Sequence, residues 1–153
     1  MPNSRFFPLM SFVLALLLLV GGCGGGDETA APTKKEFIKQ AEAICLKTDK
    51  QQGEALEGYL EEHPKGITTG KGREIEAIEV LVVPSLKSEA DELAALGAPS
   101  GDEDQVEAIV VGLEDSVRKL EEDPLAFRNE KKLFGEIDAK AKRYGFKECS
   151  ELL

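Results

Sequence analysis

The sequence predicts an all-α fold, an up-down bundle of about four helices closed by one disulfide. Three observations predict it. Apolar residues recur at spacings of three and four along four stretches, with little of the two-residue alternation of strands and no Asn-Gly hairpin signal. Breaks rich in Gly and Pro separate those stretches at 63–70, 97–101 and 123–124. Two cysteines, Cys45 and Cys149, stand near the two ends of the helical part.

The first helix is expected over 34–62. Thr33 and Glu36 fit a capping box, in which the Thr hydroxyl accepts a backbone N–H and the Glu carboxylate reaches back. Its inner stripe reads Phe37, Ala41, Ile44, Cys45, Thr48, Ala55, Leu56, Tyr59 and Leu60. Gly53 and Gly58 each weaken it by up to about 1 kcal/mol relative to Ala, which leaves open whether the helix is continuous or bends or breaks near them. His63-Pro64 ends it, because the residue before Pro is pushed out of the helical region. A second helix over 71–96 turns Ile75, Ile78, Val82, Leu86, Leu93 and Leu96 inward, with a kink at Pro84.

Asp102 to Gln105 are placed to cap a third helix over 103–122. That helix has the cleanest stripe in the chain: Val106, Ile109, Val110, Leu113, Val117 and Leu120. Asp123-Pro124 can start a further turn, with Asp as cap and Pro at the first position. The fourth helix covers about 129–144, with Phe127, Phe134, Ile137, Ala141 and Tyr144 on one face. Gly145 is placed to close it and Phe146 to pack back.

The N-terminal residues read as an address. Arg5 supplies positive charge, an apolar Leu-rich run follows from Met10 to Val20, and Val20-Gly21-Gly22-Cys23 closes it. That is the order of a secretory signal peptide. The final four residues resemble the bacterial lipobox, with Val20 where Leu is commonest. The resemblance implies a signal peptide over 1–22 and a diacylglyceryl group on Cys23. One acyl chain holds a protein only marginally, whereas two or three anchor it stably. Residues 23–33 are the tether, and 34–153 the helical domain. The expected location is the extracytoplasmic face of the cell membrane.

Nineteen basic against 29 acidic residues give a net charge of −10. Such a chain lacks the basic footprint that a phosphate backbone requires, so nucleic acid is excluded as a partner. An acidic domain is also repelled by anionic lipid, leaving the anchor as the link to the membrane. With Cys23 assigned to lipid, Cys45 and Cys149 form an even pair in an exported chain, the condition for a disulfide. Closing a loop of roughly one hundred residues contributes up to about 4–5 kcal/mol by chain entropy. Two cysteines are too few for a structural zinc site, and Cys-x-x-Cys is absent.

Phe37-x3-Ala41-x3-Cys45 near the start and Tyr144-Gly145-x3-Cys149 at the end form a pattern. Leu93-x-x-Leu96-x-x-Pro99 followed by Gly101-Asp102 forms its middle element. Together they resemble a loose group of uncharacterised small exported lipoproteins of high-GC Gram-positive, that is actinobacterial, bacteria. The resemblance implies a helical, disulfide-closed domain outside the membrane and supplies no activity.

Candidate chemistry is sparse. No phosphate loop, Gly-x-Ser-x-Gly or His-Glu-x-x-His occurs, and no cofactor is implied. Asp102, Glu103, Asp104 and Glu107 do not follow the spacing of a paired-helix Ca²⁺ loop; they suit a helix N-terminus. His63 reads as an exposed residue beside a Pro turn. Phe37, Tyr59, Phe127, Phe134 and Tyr144 read as core, with a ligand pocket as the alternative. The expected role is therefore non-enzymatic, binding an envelope protein or small component near the membrane. The alternative is a small-ligand or metal-binding module with a pocket between helices near Pro84. A hydrolase ranks third, because no nucleophile–base pair is visible.

Overall fold

A computed structural model describes residues 31–67 and 71–150, and every regular element among them is helical. The signal peptide, Cys23 and most of the tether lie outside the described residues. Helix α1 spans Lys34–Glu62. Helix α2, Lys71–Ala77, runs through a π-helical turn at Ile78–Val82 into α3, Val83–Ala95. Helix α4 spans Glu103–Glu122, a 3₁₀ segment Pro124–Asn129 follows, and α5 covers Glu130–Tyr144. A short 3₁₀ turn, Glu148–Ser150, carries Cys149 back to α1.

Side-chain pairs fix the up-down order. Cys45 meets Glu89, Gln52 meets Ser85 and Tyr59 meets Glu76, so α1 runs against the α2–α3 rod. Ser116 meets the Leu133 carbonyl near the α4–α5 connection. Gly112 lies so close to Ile137 that an added Cβ would come within 3.0 Å of it. The stripe of α4 is wholly buried, with Leu113 and Leu120 at 0% exposure, and it forms the centre of the core.

One end of the bundle is stapled. The Cys45–Cys149 disulfide joins α1 to the C-terminal turn, with Cα atoms 5.3 Å apart. The N–H groups of Lys147 and Glu148 donate to the Glu42 carboxylate. Phe37, Tyr144 and Phe146 pack ring against ring. Gly145 takes the left-handed region at φ 123°, and the N–H groups of Gly145 and Phe146 both donate to the Ala141 carbonyl. This returns Phe146 to the core, as the sequence suggested. The Thr33–Glu36 capping box is present in both directions.

One open point is decided and three details differ from the expectations. Helix α1 is continuous past Gly53 and Gly58. Its inner stripe nevertheless stops at Thr48: Ala55, Leu56 and Leu60 are exposed, and Tyr59 alone is buried in the final twelve residues. Pro84 produces a widened turn before it rather than a simple kink. Its ring cannot sit against the carbonyl of Val80, and it has no N–H to offer; the Val83 N–H instead bonds the Ile78 carbonyl, five residues back. Finally, the Asp102 side chain does not cap α4. It accepts from the Tyr144 hydroxyl at 2.9 Å and pairs with Lys34 at 3.5 Å, joining three helix ends.

Candidate functional site

Beyond Thr48, α1 and α2 part, and an apolar cleft of about 600 Å³ lies between them. On the α1 side it is lined by Asp49, Lys50, Gln52, Gly53 and Leu56. On the other side stand Glu74 and Ala77 of α2, then Ile78, Leu81 and Val82 of the π turn. Ile67 and Phe127 complete the lining. The volume falls in the range of small-molecule sites, roughly 300–1,000 Å³.

Two local features of the sequence open it. Gly53 places no side chain in the gap, and a Cβ added there would meet nothing within 4 Å. The π turn before Pro84 separates the α3 half of the rod, along which α1 packs at Cys45 and Gln52, from the α2 half, which α1 meets through Tyr59. Polar contacts brace both ends. Ser85 Oγ lies 2.8 Å from the Leu81 carbonyl and 2.9 Å from that of Val82, and Gln52 Nε2 donates to it at 2.5 Å. The Arg128 guanidinium grips Glu74 through Nε, at 2.6 Å, and through Nη2. At the far end the Tyr59 hydroxyl lies 3.2 Å from Glu76 Oε2.

A hollow of about 440 Å³ at the α4–α5 corner is lined largely by Lys119, Glu122, Asp123, Asn129 and Lys132. Leu125, Ala126 and Leu133 complete that lining, so it is about evenly polar and apolar, whereas the cleft beside the π turn is larger and mainly apolar and is the better site.

The bundle contains a second unusual group. Glu89 of α3 is 3% exposed, with Oε1 3.4 Å from Cys45 Sγ. Burial pushes its carboxyl up to about 7, a hydrogen bond from Thr48 opposes that shift, and the Glu92 charge adds to it. A disulfide sulfur carries no proton. The contact is therefore a hydrogen bond only when the protonated carboxyl donates.

The other candidates are distributed as follows. Phe127 lines the cleft, whereas Phe37, Tyr59, Phe134 and Tyr144 are buried. His63 stacks on Tyr59 with ring centroids 4.2 Å apart, and its Nδ1 lies 2.8 Å from the Tyr59 carbonyl. Of the acidic residues near the start of α4, Asp102 is tied to Tyr144 and Lys34, and Glu103 accepts from the Gly101 N–H. No group of three or more metal-ligating side chains occurs among the described residues, and no helix among them is long and apolar enough to cross a membrane. Glu89, Gly53 and the π turn were not singled out as site features in the sequence; Pro84 was the one signal pointing to this place.

No protein family, curated protein or solved structure matches the chain.

Proposed function

We propose that the protein is a non-enzymatic binding module, anchored on the extracytoplasmic face of the cell membrane by lipid on Cys23, and that the cleft beside the π turn takes a small, largely apolar ligand. The cleft itself carries this reading: about 600 Å³ of space walled by Leu56, Ala77, Ile78, Leu81, Val82 and Phe127. It also supports the small-ligand reading over the protein-partner reading. Outside the cleft lining, the exposed large apolar residues Leu46, Leu60, Val80 and Val111 are spread over α1, the π turn and α4, whereas the cleft gathers its apolar side chains around one space. A binding role suits the occupied state of these groups, since Cys45 and Cys149 are bridged and His63 is stacked on Tyr59.

The test titrates the full chain, held in nanodiscs of zwitterionic lipid, with the apolar fluorophore Nile red. A Cβ added at Gly53 meets nothing within 4 Å, so Gly53→Phe starts in open space; with its helicity and urea midpoint checked against wild type, it serves as the partition blank. Wild type is expected to bind at least about tenfold more tightly than Gly53→Phe, and Gly53→Ala to bind like wild type. Equal binding by wild type and Gly53→Phe sinks the reading.

A further inference from the structure

We infer that the cleft selects a cationic amphiphile, an apolar chain or ring carrying an amine, over its anionic counterpart. This rests on the reading of the cleft as a ligand site and adds the chemistry of the ligand's head group.

The charges around the cleft carry the inference. Its lining holds two carboxylates, Asp49 and Glu74, against one ammonium, Lys50. Lys50 is already engaged, with Nζ 3.7 Å from Glu54 Oε1, and both side chains stand well out in solvent. Glu74 is matched by Arg128. Asp49 takes part in no ion pair among the described residues, so the unbalanced charge of the lining is negative.

The surroundings have the same sign. From residue 49 to residue 82 stand eight acidic side chains against four basic ones. Helix α1 ends on Glu61 and Glu62 with no basic residue in its last turn, although a helix C-terminus favours positive charge. At 1.5 Å per residue, Glu61 lies about 8 Å along the helix from Leu56, close to the screening length at physiological salt. The apolar wall adds a preference of its own, because Phe127 lines the cleft and an aromatic face attracts a cation and not an anion. Among the lining side chains the one ammonium, Lys50, is paired with Glu54 and turned out to solvent, whereas the carboxylate of Asp49 is in no ion pair and is the partner an amine head would find.

Three amphiphiles with the same twelve-carbon chain separate the possibilities: dodecylammonium, dodecanol and dodecanoate, each at monomeric concentration and pH 7.4. They are titrated calorimetrically into the full chain in zwitterionic nanodiscs, with Gly53→Phe subtracted for partition into lipid. The expected order is amine, then alcohol, then carboxylate, with about tenfold or more between the extremes. In Asp49→Lys the preference should shrink or reverse, while dodecanol binding stays as in wild type. Equal binding of all three, or tighter binding of dodecanoate, overturns the charge selection and leaves the ligand site standing. No difference between wild type and Gly53→Phe for any of them overturns both.

Discussion

Replacing Glu89 by Gln should flatten the pH dependence of stability between pH 4.5 and 8. In the folded chain this carboxyl is held at about 7, against an ordinary value of 4.5, because it is buried among apolar neighbours beside the disulfide. Between those two values the folded chain keeps a proton on Glu89 that the unfolded chain has released. The folded state binds more protons there, so stability falls as pH rises. The favourable contribution is complete below about 4.5 and lost once the pH has passed about 7. At about 1.4 kcal/mol per pH unit, the interval corresponds to roughly 3 kcal/mol.

Gln has nearly the same shape and never ionises. The assay is urea unfolding of the oxidised wild-type and Glu89→Gln chains at half-unit steps from pH 4.5 to 8. The difference between the two curves is the relevant quantity, because it cancels the carboxylates common to both. Glu36 and Glu92 are among these, held below their ordinary value by Thr33 and Lys47. Relative to wild type, the variant should gain roughly 3 kcal/mol across the range. A difference that stays within about 0.5 kcal/mol, or that changes with the opposite sign, would refute the assignment of a buried, protonated Glu89.

Two further outcomes follow from the core. Leu113→Ala, at a position with 0% exposure in the middle of α4, should cost about 2–5 kcal/mol in urea unfolding; a cost under about 0.5 kcal/mol belongs to an exposed site and would contradict the packing of that face. Replacing both Cys45 and Cys149 by Ser removes a cross-link spanning 104 residues, and the unfolding free energy should fall by about 2–5 kcal/mol. A loss below about 1 kcal/mol would show that the aromatic cluster and the Glu42 contacts hold this end without the bridge.

The parts of the fold legible in the sequence were those set by local periodicity and capping. The stripe of α4 could be read residue by residue because all six positions face the same core. The Thr33 box and the Gly145 turn were legible because their chemistry is complete within a few residues. The inner stripe of α1 was legible only as far as Thr48. Its spacing continues through Leu56 and Leu60, but periodicity reports that a face is apolar and not whether another helix comes to cover it. Whether it is covered depends on Pro84, some thirty residues away, and on how the backbone accommodates a missing N–H. Glu89 was illegible for a related reason. On α3 it is one charged residue among several, and its burial comes from α1 lying across it at Thr48 and Cys45.

These features divide the molecule into two unlike ends. Around Phe37, Cys45, Tyr144 and Cys149, covalent, aromatic and backbone contacts coincide and tie α1 to the end of α5 and the C-terminal turn. From Asp49 onward, among the described residues, α1 keeps Gln52–Ser85 and the Tyr59 contacts as its polar links to the α2–α3 rod, with an apolar space between. A helix fixed at one end and lightly braced at the other can admit a ligand by a small movement of the free half, without disturbing the core around α4. The polar link beside Gly53 is Gln52–Ser85, a single hydrogen bond whose net contribution is of order 1 kcal/mol, so losing it as the gap widens would cost about that much. Closing it on an apolar ligand removes Leu56 from water, and Leu56 is 37% exposed in the open cleft. Apolar burial contributes roughly 25 cal/mol per Å², so covering some 40 Å² or more of the cleft wall would offset the loss of that bond. Under the proposed ligand-binding role, the balance favours a ligand with enough apolar surface to fill the cleft.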